Sequence, residues 1–189
     1  MGIILKNGIY FVGGVKDVIL SVGGKFDDFK ERPIVTLLQS QDDSDIFWAV
    51  PIGDLSHRNE ESRNRINKYL KYPFEDIRSC FYHIGKTNKE SLFFLSDTFP
   101  ITADYILREY RVFNSQHYVI KNKQLIYDLE RKLKRILSYE QSKIKQTGDF
   151  FFRQNIFGLY DYIRKQSKPL EIEASDPEAK EELGEEVMV

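Results

Sequence analysis

The chain has 189 residues, a hydrophobic fraction of 41% and a formal net charge of -1, enough for one domain with its own apolar core. One cysteine, Cys80, excludes an intramolecular disulfide and fits a reducing compartment. There is no secretory-type leader and no apolar run of about eighteen residues, so a soluble cytoplasmic protein with no membrane partner is expected.

The near-neutral total hides an asymmetry. From Glu171 onward there are eight acidic residues and one lysine, and the remainder holds 27 basic against 21 acidic residues. Residues 169–189 read as an acidic disordered tail. Residues 1–168 read as a single domain, with a sheet-rich core over about 8–110 and a helical part over 111–168. The basic body suits a nucleic-acid or other anionic partner.

In chain order, Gly8 to Val12 is a short run of β formers broken by Gly13-Gly14. Val15, Val18, Ile19 and Val22 recur at helical spacing, and Gly23-Gly24 ends that helix. The paired glycines match neither GxGxxG nor a Walker loop and read as turn residues. Lys25 to Arg32 is a charged loop. Pro33 then opens a hairpin of two apolar runs, Ile34 to Leu38 and Ile46 to Val50, joined through the polar residues Gln39 to Asp45 and closed by Pro51. Trp48 faces either the core or the substrate side; alternation does not decide which.

Beyond Pro51 lies a loop dense in chemistry: Gly53, Asp54, Ser56, His57 and Arg58. Gly53 permits close backbone approach to a ligand. Either Ser56 or Asn59 serves as the N-cap of a helix over Asn59 to Tyr69. Cys80 to Gly85 and Leu92 to Leu95 read as strands joined by a polar turn, Lys86 to Ser91, and Phe99 to Thr102 as a further β-like piece. About six strands in a hundred residues suit a small curled antiparallel sheet or barrel. His83, inside an apolar strand, reads first as a packed histidine. Asn122 to Ser138 is the strongest helix, with Leu125, Leu129, Leu133 and Leu137 at spacing four, and a second helix covers Phe150 to Arg164. Lys123, Lys132 and Arg135 lie on the basic face of the first. That face is either an RNA-tracking surface or the solvated outside of a helical pair.

Three histidines and one cysteine, without CxxC or HExxH, argue against a zinc site, and no cofactor is expected. No carboxylate pair marks a glycosidase, and Cys80 in an apolar run argues against a Cys/His protease.

The stretches RPIVTLLQ…IFWAVPIGDLSHR and FYHIG…SLFFLSDTFPIT, followed by a Tyr/Arg-rich helical end, resemble the ToxN/AbiQ-like and CptN-like toxins. These are endoribonucleases of bacterial type III toxin–antitoxin systems, on the MazF/PemK-like fold. The resemblance spans about Gly8 to Ser138 and is strongest at Arg32-Pro33, Trp48 to Ile52 and Phe94 to Thr102. It implies an α+β protein: a small SH3-like (MazF/PemK-like) antiparallel barrel with helical insertions and a C-terminal helical pair. It also implies an RNA substrate, a structured small-RNA antitoxin and closed complexes of toxin with RNA. A divergent MazF-like toxin held by a protein antitoxin is the neighbouring alternative, and a non-catalytic RNA-binding module the alternative from another class. The chain departs from the family pattern after Pro51, where Gly53-Asp54 and Ser56-His57-Arg58 stand in place of a hydroxyl pair followed by lysine.

Metal-independent RNA cleavage needs a base near the 2′-OH and charge stabilisation on the phosphorane. His57 is the acid/base candidate because its reference pKa lies near neutrality. Arg58 and Arg32 are the phosphate clamp, Lys86 a further donor, and Ser56 and Asp54 orienting groups. Candidate RNA contacts are Gly53, Asp54, Trp48 and His83, with Lys123, Lys132 and Arg135 on the helical end.

Overall fold

The computed structural model describes residues 3–25, 32–56 and 58–167. The expected acidic tail and His57 lie outside them, as does most of the charged loop before Arg32. β1 (Ile9–Val12) leads into α1 (Val15–Ser21), whose Val15 and Ile19 are buried. β2 (Ile34–Gln39) and β3 (Phe47–Asp54) form the expected hairpin, in register from Ile34 opposite Pro51 to Gln39 opposite Phe47. Then follow α2 (Glu60–Leu70), β4 (Tyr82–Lys86), β5 (Glu90–Phe94), β6 (Phe99–Ile101), β7 (Ile106–Glu109), β8 (Arg111–Val112) and β9 (Gln116–His117). Two helices, α3 (Lys123–Thr147) and α4 (Ile156–Ser167), complete the fold.

Pro51 does not end β3. The strand runs on to Asp54, and its free edge changes partner around the proline: Phe47 to Ala49 pair with β6, Ile52 to Asp54 with β5. Proline brings no backbone donor, which makes it a natural point for a change of neighbour. The pairing order is β4-β5-β3-β2-β1-β7, antiparallel throughout, with β6 as a side branch on β3.

The expected barrel is absent. Among the described residues β4 and β7 end the path and do not pair with each other, so the sheet curls but stays open. The physical reason lies in what fills its inner face. A small closed barrel packs its own side chains inward. Here α3 and α4 supply Leu129, Leu133, Ile136, Ile156 and Leu159 to a common core with Val35, Leu37 and Phe93. Irregular registers between Thr36 and Leu38 and between Phe11 and Val12 bend the sheet around that layer. On the opposite side Ile66 of α2 packs on Leu92 and Phe94 of β5.

The helical pair differs in extent from the sequence reading. α3 continues past Ser138 to Thr147, where Gly148 at φ 77 caps it in the left-handed region. α4 starts only at Ile156, because Phe150 to Asn155 form an irregular connection. Glu140, fully buried, explains why: its carboxylate accepts the amide N–H groups of Phe151 at 2.9 Å and Phe152 at 3.3 Å, holding this segment outside any helix. Among the described residues no helix is long and apolar enough to cross a membrane.

Candidate functional site

The curl of the sheet brings its two ends to face each other across a groove of about 430 Å³. One wall is the β4–β5 turn, with Thr87, Asn88 and Lys89. The other is β1 with Tyr110, and the end of β3 with Arg32, Pro33 and Arg58 forms the middle. Asn88 Nδ2 donates to Tyr110 Oη at 3.5 Å across the gap.

Phe94 organises the charges. It is buried, and the guanidinium carbons of Arg32 and Arg58 lie 5.0 Å and 5.1 Å from its ring centroid. Two cations on one ring gain from its quadrupole but repel each other. Burial and the charges of Arg32 and Arg65 push the Arg58 pKa down. Arginine nonetheless stays charged, so this opposition appears as unmet demand for an anion. No carboxylate among the described residues pairs with either guanidinium. Gly53 makes the arrangement possible: a Cβ there would fall 2.7 Å from Phe94 Cε2 and 3.0 Å from Arg58 Nη2. Its role is steric clearance for Arg58 and Phe94.

The loop after β3 is fastened at three points. Asp54 Oδ1 accepts from the Ser56 amide at 2.8 Å and the Ser56 hydroxyl at 2.6 Å, and its other oxygen pairs with Lys89 at 2.5 Å. The Lys89 hydrogen bond first, then those of Ser56, hold the Asp54 carboxyl well below the usual carboxylate range, and Asp54 in turn raises Lys89. Arg63 of α2 donates to the carbonyls of Arg58 at 3.0 Å and Ser56 at 3.1 Å. Asn59, not Ser56, is the N-cap of α2, accepting from the Ser62 amide at 3.0 Å.

Arg32, Arg58, Gly53 and Asp54 therefore meet at one groove, and Ser56 is tied to it through Asp54. The other candidates among the described residues lie elsewhere. Lys86 is exposed on β4 opposite Glu90 and does not line the groove; Lys89 is the lysine that does. Trp48 is buried, stacked on Tyr160 at 5.3 Å and edge-on to Phe157, so its faces belong to the core. His83 is half-buried under α3, where desolvation and then the nearby Lys132 charge pull its pKa down to about 4. Lys132 donates to the Tyr82 carbonyl at 2.8 Å. Arg135 donates to the Phe74 carbonyl and lies over the Phe74 ring at 4.2 Å. These two cations fasten α3 to the sheet side. Lys123 stays exposed in the first turn of α3.

The sequence reading missed Lys89, Tyr110 and Arg63. Lys89 carried a usable signal: it sits at the middle of a short polar turn, where a side chain can lean back over the sheet, whereas Lys86 still obeys strand alternation with Tyr82 and Ile84. No family model matches the chain, and no curated protein matches it.

Proposed function

We propose that the groove binds the phosphodiester backbone of single-stranded RNA and that the protein is a metal-independent endoribonuclease. The observation that carries this reading is the pair of guanidiniums over Phe94 in this groove, neither of which forms an ion pair with a carboxylate among the described residues. Arg32 and Arg58 grip the non-bridging oxygens of the scissile phosphate. His57, between Ser56 and Arg58 in the sequence, takes the proton of the ribose 2′-OH. The 2′-oxygen attacks phosphorus, the bond to the 5′-oxygen breaks, and that oxygen takes a proton from a donor on the groove wall, Lys89 or Tyr110. The products are a 2′,3′-cyclic phosphate and a 5′-OH end.

The resemblance to type III toxins adds a setting: a cytoplasmic toxin held by a structured small RNA, with a protein antitoxin as the alternative. A second reading, a non-catalytic RNA-binding module, is favoured by one feature: Asp54 engages both Ser56 and Lys89, which leaves fewer groups for proton transfer.

Purified protein incubated with single-stranded RNA in EDTA decides between them. The enzyme reading expects cleavage with cyclic phosphate ends, lost in H57A and strongly reduced in R58A and R32A. Binding without cleavage supports the module. RNA binding that is untouched in R32A and R58A removes the groove from both readings.

A further inference from the structure

We infer that the acidic C-terminal segment of the same chain, at Glu181-Glu182 and Glu185-Glu186, occupies the Arg32–Arg58 groove and competes there with RNA. The contact stands on the charge of the groove itself; the competition rests on the reading of that groove as a phosphodiester site. Two guanidiniums share the Phe94 ring, 5.0 Å and 5.1 Å from its centroid, and each raises the other's need for an anion. The described domain does not meet that need. Asp54 is the one carboxylate among the described residues that line the groove, and it is held by Lys89 and Ser56.

The sequence beyond α4 supplies the missing charge. From Glu171 onward there are eight acidic residues against Lys180 alone. Glu171, Glu173, Asp176 and Glu178 stand singly, whereas Glu181-Glu182 and Glu185-Glu186 are adjacent pairs. Neighbouring carboxylates repel each other, and the Arg32–Arg58 pair relieves that repulsion while offering each carboxylate a bidentate partner. Length permits the contact. Residues 168–186 reach up to about 65 Å beyond Ser167 when extended, and a domain of this size is about 40 Å across. Tethering holds the carboxylates at an effective concentration on the order of millimolar, so a contact that is weak between separate molecules suffices within one. The groove is open to RNA only in the fraction of molecules that the segment has left, and apparent RNA affinity is reduced by that fraction.

Two full-length variants of equal charge test the assignment: E181Q/E182Q/E185Q/E186Q and E171Q/E173Q/D176N/E178Q. In NMR spectra without RNA, the side-chain Nε–H signals of Arg32 and Arg58, assigned with R32A and R58A, are expected to move in the first variant and to keep their wild-type positions in the second. Fluorescence anisotropy with a 2′-O-methyl oligouridylate, which lacks the attacking hydroxyl, is expected to show about tenfold tighter binding by the first variant, as for a groove open in about one wild-type molecule in ten. Arginine signals unmoved in the first variant, or moved equally in both, overturn the contact. An equal gain in RNA affinity from both variants overturns the competition, since it reports only the loss of net negative charge. Wild-type arginine signals that shift toward those of the first variant on dilution place the segment of a second copy in the groove and overturn the contact within one chain. Absence of RNA binding in wild type and both variants overturns the phosphodiester reading and the competition, while the arginine signals still decide the contact.

Discussion

Gly53→Ala probes the groove with a single methyl group. The added Cβ would sit 2.7 Å from Phe94 Cε2 and 3.0 Å from Arg58 Nη2. Carbon–carbon contacts settle near 3.5–4.0 Å, so a gap of about 1 Å must open. Phe94 has little room to give, since it packs on Ile66 and Leu92 and meets Tyr82 edge-on. Overpacking of this kind costs about 1–3 kcal/mol. Lifting Arg58 off the ring adds about 0.5–1 kcal/mol, and alanine returns roughly 0.5–1 kcal/mol through the unfolded chain. The net expectation is a loss of about 2 kcal/mol in urea unfolding. RNA binding falls separately by about tenfold, because a displaced charge-assisted contact is worth roughly 1.5–3 kcal/mol. Each measurement has its own partner: R58A removes the guanidinium clash but not the one with Phe94, so G53A/R58A should bind RNA like R58A alone while staying destabilised. Wild-type stability together with wild-type RNA affinity in G53A would refute the packing argument.

Trp48 is the single tryptophan and lies between Tyr160 and the sheet, so its emission should report unfolding yet stay constant through an RNA titration; a quench on binding would put it in the groove. Lys132→Met should lower stability by about 1–3 kcal/mol by leaving the Tyr82 carbonyl short of a donor, with RNA affinity unchanged in the same anisotropy assay. For Glu140 burial raises the carboxyl pKa, outweighing the amide hydrogen bonds of Phe151 and Phe152. The folded state then holds the proton more tightly than the unfolded chain, so this group's contribution is full below the unfolded value of about 4.5 and is lost as pH rises through the folded pKa. E140Q should remove that segment of the pH–stability curve in chemical denaturation, and an unchanged curve would show that Glu140 does not titrate there.

Much of the fold follows from local pattern. The runs at Ile34 and Ile46 pair as a hairpin, and the four-residue spacing of Leu125, Leu129 and Leu133 becomes the buried stripe of α3. What escaped was long-range. The open sheet depends on α3 and α4 occupying its inner face, and nothing in the spacing of either element reports on the other. β7 carries Leu107 and Arg108 exposed at a sheet edge, so it lacks the alternation that marks a half-buried strand. Within the site, Arg32, Gly53 and Arg58 were found because they cluster in the chain near one hairpin. Lys89 and Tyr110 were missed because only the curl brings residues 88 and 110 together. The basic face of α3 misled for a related reason: a lysine that caps a distant carbonyl has the same sequence signature as one that awaits phosphate.

The open sheet has a mechanical consequence. A closed barrel has a radius set by strand number and stagger. Here the groove walls belong to opposite ends of one ribbon, and the Asn88–Tyr110 hydrogen bond that spans them lies at the outer limit of such bonds. Groove width is thus a soft coordinate, governed by how tightly the ribbon is wound over α3 and α4. A polyanion gripped at Arg32 and Arg58 in the middle of the groove and at Lys89 on one wall would draw that wall in like a clasp. The stiffening would be read in the β4–β5 turn that carries Lys89, far along the chain from Arg32.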